Sequence, residues 1–190
     1  MQKKLICVYN SPLGKIFIES DGEFLNGLWF EYSFDEKKHE KSLKDFEVHQ
    51  IDIKSATSVP VIKETCDWLD IYFAGKNPSF TPKFRIENLT PFRSQVVQQM
   101  CRIPYGKTTT YNDIAKKIAL QNGIAKMSAQ AVGGAVGWNP ICIIVPCHRV
   151  VGANKSLTGY GGGIRNKIAL LKLEGIDVER YSLPKSQKFM

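Results

Sequence analysis

Residues 128–150 of the chain read SAQAVGGAVGWNPICIIVPCHRV, and this stretch carries most of the information about the fold of the second half. Ser128 is a favourable N-cap, so the sequence predicts a helix over about residues 129–137. Asn139-Pro140 is a turn signal. The apolar run Ile141–Val145 that follows predicts a short buried strand.

A second helix is predicted just upstream. Thr110 and Asp113 resemble a capping box, and helical apolar spacing continues from there to Asn122-Gly123. Two short helices joined by a turn are typical of a helix-turn-helix, although an ordinary αα-hairpin gives the same pattern. Another helix is predicted to begin at Thr90-Pro91 and to stop at residues 104–106.

The first half of the chain has a different pattern, in which apolar residues alternate with a period of two. This predicts antiparallel strands joined by hairpins, with one further short strand. The predicted strands cover residues 5–9, 15–18, 24–30 and about 46–53. The polar stretch over residues 33–50 is interpreted as a loop or a marginal helix. A covering helix is predicted from Pro60, with Gly75 as its C-cap.

The charge balance changes near Glu87, after Pro78 and Pro82. Residues 1–86 carry 12 Lys and Arg against 13 Asp and Glu, net −1, whereas residues 87–190 carry 14 against 5, net +9. We therefore expect an N-terminal domain over residues 1–86 and a C-terminal domain over residues 87–190. The basic second half favours a polyanionic partner, of which nucleic acid is the usual one.

Composition narrows the class of protein further. With 190 residues, 43% hydrophobic and 23% charged, the chain is expected to form a packed globule. It has no apolar run of about 18 residues, so no membrane contact is expected. The five cysteines show no disulfide framework, which favours a reducing compartment and a cytoplasmic location.

Cys147 is the strongest candidate for chemistry. It follows the predicted strand and is adjacent to His148 and Arg149, whose field favours the nucleophilic thiolate. A lone cysteine is also a common core residue, as Cys142 inside the predicted strand is expected to be. A zinc site built from these cysteines and His148 lacks a fourth ligand nearby, so no metal is expected.

Several motifs surround this cysteine. They are IPYGKT at 103–108, AVGGA at 131–135, PCHRV at 146–150, GY at 159–160 and LLKLEG at 170–175. Together they resemble the O6-alkylguanine-DNA alkyltransferases, the methylated-DNA–protein-cysteine methyltransferases, from about residue 91 to 175. The resemblance implies an α+β fold: a small N-terminal sheet domain with a covering helix, ribonuclease H-like, and a helical, winged-helix-like C-terminal domain with the helix-turn-helix.

The resemblance also implies a reaction. An alkyl group would move from O6-alkylguanine, or from O4-alkylthymine, in duplex DNA to Cys147, once per molecule and without a cofactor. His148 would take the thiol proton through a water, and Glu174 would orient the histidine. Asn139 would tie the turn before the strand. From spacing alone, a solvated residue at a helix end is the better interpretation of Glu174, and only the resemblance favours the catalytic role.

A set of base-binding residues follows from the same resemblance. Tyr111 would donate to the base, although a tyrosine in a first turn is otherwise a packing residue. Backbone carbonyls of Cys147 and Val150 would accept from the guanine amino group. Tyr160 would wall the pocket, and a backbone N–H near Gly161 would face O6. Family members often carry a serine at the position of Gly161.

The DNA contacts implied by the resemblance lie on the two short helices, at Asn112, Ala129, Gln130 and Gly133. The second helix would enter the minor groove, where small residues permit close approach. Gln130 stands where many members have an arginine. The expected partner is double-stranded DNA containing alkylated guanine, and the protein is expected to be a monomer.

Three other functions compete with this one. They are a non-enzymatic module that binds alkylated bases, a transcription regulator that uses the same helix-turn-helix, and a thiol hydrolase. A binding module has no need of the Cys147 nucleophile, a regulator lacks a visible effector domain, and a hydrolase leaves the basic charge unexplained.

Overall fold

A computed structural model of the chain describes residues 3–56 and 58–183, and these fold into two compact units. The N-terminal unit consists of the described residues up to Asn88 together with Pro140–Ile144, and the C-terminal unit consists of Leu89–Asn139 and the described residues from Val145 onward. The mixed α+β class expected from the sequence is confirmed. The predicted domain ranges 1–86 and 87–190 stay a prediction, and they differ from these units in where they assign residues 140–144.

The N-terminal unit is built on a four-stranded sheet. Its strands are β1 (Lys3–Ser11), β2 (Gly14–Ser20), β3 (Leu25–Phe30) and β4 (Glu47–Ile51). The strand order is β3-β2-β1-β4, with β1, β2 and β3 antiparallel in turn and β4 parallel to β1. The predicted hairpins and the further strand are therefore confirmed. Gly14 has φ +103 where β1 turns into β2, a conformation that glycine adopts with little strain.

Three helices belong to this unit: α1 (Phe34–Ser42), α2 (Ile53–Ala56) and α3 (Pro60–Phe73). The predicted covering helix is confirmed as α3, which buries Leu69 and Tyr72 fully. Gly75 follows its C-cap with φ +75. The polar stretch expected to be a loop or a marginal helix contains α1, because the Ser33 hydroxyl accepts from the Glu36 amide at 3.1 Å and caps it.

The C-terminal unit is mainly helical. Its elements are α4 (Pro91–Cys101), β5 (Thr109–Thr110), α5 (Tyr111–Gln121), α6 (Ala129–Val136), β6 (Val150–Val151) and α7 (Ile164–Leu173). The side chains of Thr90 and Ser128 cap α4 and α6, and Thr110 forms the capping box with Asp113 at α5, so these predicted helix starts are confirmed. Helix α6 packs against α5 and α4. None of the described helices has the length and apolar character needed to cross a membrane.

The predicted strand over residues 141–145 is wrong. Ile141 forms only an isolated bridge with Leu28, and the chain then turns through Cys142–Ile144. The Leu28 amide donates to the Pro140 carbonyl, and the Leu28 carbonyl accepts from the Cys142 amide, both at 2.9 Å. Ile143 has φ +65, rare for a β-branched residue. An apolar run has no period, so it indicates burial without specifying a strand.

Candidate active site

Cys147 begins a 3-10 turn, Cys147–Arg149, that precedes β6. The Nδ2 of Asn139 donates to the Val145 carbonyl at 2.9 Å and to Cys147 Sγ at 3.1 Å. Asn139 and Cys147 are 4% and 7% exposed, so this contact is shielded from water. A donor directed at sulfur stabilises the thiolate relative to the thiol. Asn139 therefore bridges the chain across residues 140–144 to Val145 and also touches the sulfur.

The Glu174 carboxylate lies at the C-terminal end of α7 and is buried, so the solvated alternative is wrong. It contacts His148 Nε2 at 2.7 Å, accepts from Arg149 Nε at 2.9 Å, and accepts from the Gly106 amide at 3.1 Å. Burial alone would raise the pKa of Glu174. The hydrogen bonds from His148 and Arg149 and the positive charge of Arg149 outweigh burial and lower this pKa to about 2.

His148 is fully buried beside this carboxylate. Burial lowers the pKa of His148, and contact with Glu174 offsets that effect only in part. The imidazole is therefore neutral at neutral pH. When Nε2 donates to Glu174, the lone pair of the neutral ring lies on Nδ1. A neutral imidazole oriented in this way can take up a proton.

Arg149 has a role that the sequence analysis missed. Its guanidinium binds both Glu174 oxygens and donates from Nη1 to the Ile103 carbonyl at 2.8 Å. The side chain is 10% exposed. The charge expected to act on the Cys147 thiolate is therefore paired with a carboxylate. A buried planar cation fits two carboxylate oxygens, but the sequence places the two residues 25 positions apart.

Two of the expected base-binding residues, Tyr160 and Val150, lie next to the Cys147–Arg149 turn. The ring of Tyr160 meets the ring of His148 edge-on, with centroids 6.5 Å apart. The Val150 carbonyl, expected to accept from guanine, accepts from Lys167 Nζ at 2.6 Å, so a guanine contact requires its second lone pair. Gly161 is half-buried in the turn before α7.

Tyr111 is the first residue of α5, and its hydroxyl accepts from Thr158 Oγ1 at 3.3 Å. Burial raises its pKa, the Thr158 hydrogen bond opposes that rise, and the negative charge of Cys147 adds to it. The Thr158 carbonyl accepts from Lys167 Nζ, which also binds the Val150 carbonyl next to the Cys147–Arg149 turn. The structure therefore brings Tyr111 to the same site as the cysteine.

Lys167 is a second residue that the sequence analysis missed. It is 0% exposed, and its Nζ donates to the carbonyls of Val150 and Thr158 at 2.6 and 3.1 Å. Burial lowers its pKa to about 8. A sequence signal for it exists, because Lys167 falls on the apolar face that Ile164, Ile168 and Leu171 define by helical spacing.

The four expected DNA-contacting residues lie on α5 and α6, apart from the hydrogen-bonded residues around Cys147 described above. Asn112 and Gln130 are exposed, and Ala129 and Gly133 are half-buried. A Cβ added at Gly133 would lie 3.8 Å from the Tyr111 ring, an ordinary van der Waals contact. Gly133 therefore packs α6 against the first residue of α5.

The site as a whole holds a buried thiol, a donor to its sulfur, and a neutral imidazole supported by a carboxylate. These are the groups of a nucleophile, a base and an orienting acid. Within residues 3–56 and 58–183, no cluster of three or more His, Cys, Asp or Glu could hold a metal ion.

Comparison with known proteins gives a consistent result. A family model described as 6-O-methylguanine DNA methyltransferase, DNA binding domain, matches residues 91–176. That range contains all of the predicted site residues.

Relatives match over most of the chain. A methylated-DNA–protein-cysteine methyltransferase of Methanosarcina acetivorans is 41% identical over 168 residues, which cover 88% of this chain and 96% of the relative. One of Mycobacterium tuberculosis is 39% identical over 165 residues, covering 87% and 88%. The crystal structure of Mycobacterium tuberculosis OGT in complex with DNA matches with a TM-score of 0.69 and 36% identity, covering 93% of this chain and 94% of that one.

Proposed function

Because the chain belongs to the family of methylated-DNA–protein-cysteine methyltransferases, we propose that it repairs DNA by accepting the alkyl group of O6-alkylguanine on its own Cys147. The observation that carries this assignment is the hydrogen bond from Asn139 Nδ2 to Cys147 Sγ at 3.1 Å, beside the buried His148–Glu174 pair. A thiol used only for packing needs neither a donor to its sulfur nor an oriented base beside it.

The proposed transfer forms one C–S bond and breaks one C–O bond. His148 takes the thiol proton through an intervening water, and Cys147 Sγ attacks the alkyl carbon. The new C–S bond forms as the C–O6 bond breaks, and the electron pair goes to the guanine. The Tyr111 hydroxyl donates to the base as this charge develops, and the guanine gains the proton that the thiol lost. The Val150 carbonyl, Tyr160 and the backbone at Gly161 hold the flipped base.

DNA binding in this proposal uses α5 and α6. Exposed Asn112 and Gln130 lie on these helices with Ala129 and Gly133, and residues 87–190 carry the net charge of +9. Duplex DNA that contains alkylated guanine is the proposed substrate. Gln130, the second residue of α6, would occupy the space that the flipped nucleotide leaves.

Further properties belong to the same proposal. A thioether on Cys147 has no easy leaving group, so each molecule acts once. The protein acts as a monomer in the cytoplasm. O4-alkylthymine is a second substrate. We also propose the ribonuclease H-like and winged-helix-like folds. The β3-β2-β1-β4 order, with β4 parallel to β1, supports the first, and the α5–α6 pair with the short β5–β6 sheet supports the second.

Intact-mass measurement with peptide mapping tests the reaction. After incubation with duplex DNA containing O6-methylguanine, the protein should gain one CH2, located on Cys147. Cys147→Ser should bind the same DNA and gain nothing. Cys101→Ser is the matched control, because Cys101 is an exposed thiol of the same unit, and this variant should react like the unaltered protein.

Two results would contradict the proposal. The first is methylation of Cys101, or of any residue other than Cys147. The second is tight binding of the lesion with no mass change in the unaltered protein, which would favour the module that recognises alkylated bases without repairing them.

A further inference from the structure

The Tyr111 hydroxyl is held by a residue outside the motifs that identify the family. Thr158 Oγ1 donates to the Tyr111 oxygen at 3.3 Å. A phenol carries one hydrogen and can both donate and accept. Because the Tyr111 oxygen accepts from Thr158, its own hydrogen is left to point toward another acceptor.

Thr158 is itself fixed on two further sides. Its carbonyl accepts from Lys167 Nζ at 3.1 Å, and Lys167 is anchored in turn by the Val150 carbonyl at 2.6 Å. Its methyl group lies over Gly152, where an added Cβ would come within 3.1 Å of Thr158 Cγ2. With the methyl group against Gly152 and the carbonyl on Lys167, the Thr158 hydroxyl is directed to Tyr111.

We propose that Thr158 is a positioning residue for alkyl transfer: its hydroxyl fixes the Tyr111 hydroxyl so that the phenol hydrogen is directed to the departing base. This inference rests on the proposed function. In this role Thr158 acts through Tyr111. Lys167 and Gly152 hold Thr158 in the orientation that this requires.

The hydrogen bond also changes the strength of Tyr111 as a donor. Burial raises the pKa of Tyr111, and the bond from Thr158 opposes that rise because it stabilises the phenolate. A phenol with a lower pKa donates more strongly to an acceptor that is gaining negative charge. Guanine gains that charge as the C–O6 bond breaks, so the effect is largest in the transition state.

Two substitutions separate the hydroxyl of Thr158 from its shape. Thr158→Val keeps the branched side chain and removes the donor, and it should slow transfer from an O6-methylguanine duplex about tenfold, the effect of losing one hydrogen bond. Thr158→Ser keeps the donor and should restore the rate to within about threefold of the unaltered protein. In a Tyr111→Phe background, Thr158→Val should have no further effect, because its partner is absent.

The pKa of Tyr111 supplies a readout that a purely structural role would not change in this way. It can be followed by 13C NMR of labelled tyrosine, with the signal assigned by its loss in Tyr111→Phe. Thr158→Val should raise this pKa, and Thr158→Ser should not. Thr108→Val is the matched control, since it removes a second threonine–tyrosine contact of the same unit, Thr108 Oγ1 to Tyr181 Oη at 3.0 Å, and should leave both the rate and the Tyr111 signal unchanged.

The outcomes distinguish this inference from the function on which it rests. If the unaltered protein transfers methyl to Cys147 but Thr158→Val reacts at the same rate, or leaves the Tyr111 pKa unchanged, the positioning role is wrong and the proposed function stands. Equal slowing by Thr158→Val in the presence and absence of the Tyr111 hydroxyl would also overturn it. If the unaltered protein transfers nothing, the proposed function and this inference both fail.

Discussion

Replacing Glu174 by glutamine should cost the C-terminal unit a large part of its stability. The pKa of Glu174 falls from its ordinary 4.5 to about 2 in the folded protein. A difference of about two and a half pH units corresponds to roughly 3 kcal/mol of unfolding free energy at neutral pH. Removing the carboxylate also leaves the guanidinium of Arg149 buried without its counter-charge, so we expect Glu174→Gln to lose about 3–5 kcal/mol.

The pH dependence of stability follows from the direction of this shift. Because the folded pKa is depressed, the Glu174 contribution is fully present above pH 4.5 and is lost as the pH falls through that value toward about 2. Urea denaturation at a series of pH values, followed by circular dichroism, measures it. The difference in unfolding free energy between the unaltered protein and Glu174→Gln should shrink across this window.

A surface glutamate provides the control. Glu179 contacts Lys172 at 3.5 Å, but its side chain is 84% exposed, so Glu179→Gln should change the unfolding free energy by less than about 0.5 kcal/mol at any pH. The reasoning is refuted if Glu174→Gln is no more destabilising than Glu179→Gln, or if its difference from the unaltered protein stays constant as the solution is acidified.

Three further predictions concern DNA. Gln130→Ala should slow transfer from duplex DNA much more than reaction with the free base O6-benzylguanine, which does not have to be flipped out of a duplex. Gln130→Arg should tighten duplex binding by about 1 kcal/mol. If Gln130→Ala slows both reactions equally, the residue belongs to the pocket or the fold. Because residues 87–190 carry a net charge of +9, binding measured by fluorescence anisotropy should weaken steeply with added salt, and a flat response would exclude the electrostatic explanation. An added Cβ at Gly134 meets no atom within 4 Å, so Gly134→Ala should raise the unfolding free energy by up to about 1 kcal/mol through better helix propensity. The same methyl group should weaken DNA binding, because it would keep α6 from approaching the minor groove closely. Unchanged binding would show that α6 does not approach DNA closely at this point.

Local signals predicted three helices of the C-terminal unit, α4, α5 and α6. The helix starts at Thr90, Thr110 and Ser128 depend on a side chain and a backbone amide three residues apart, and all three caps form. The strands of the N-terminal unit were equally predictable, because apolar residues alternate along a strand when one face of its sheet is buried. The failure at residues 141–145 has the opposite cause. Every residue of that run is buried, and nothing in its composition says how its backbone bonds are satisfied.

The candidate site was predictable where a motif carried it and not where the fold assembled it. Cys147 and His148 are adjacent in sequence, so their proximity needs no tertiary information. The partners of Lys167 and Arg149 are backbone carbonyls and a carboxylate from other elements. A buried cation is stable only with such partners, and single-sequence reasoning cannot supply them. Lys167 breaks the apolar pattern of α7, which identifies an unusual position but not its role.

The charges of Glu174, Arg149 and Lys167 explain how a histidine beside a carboxylate can serve as a base. Alone, the Glu174 carboxylate would favour protonated His148 and raise its pKa. Arg149 neutralises that carboxylate, and the positive charges of Arg149 and Lys167 act with burial to keep the pKa of His148 low. The ring therefore remains neutral and oriented, ready to accept the Cys147 proton in the proposed transfer. In this arrangement Arg149 acts on the thiolate indirectly, by preserving the basicity of its neighbour, and it could not do so if it paired with the sulfur itself.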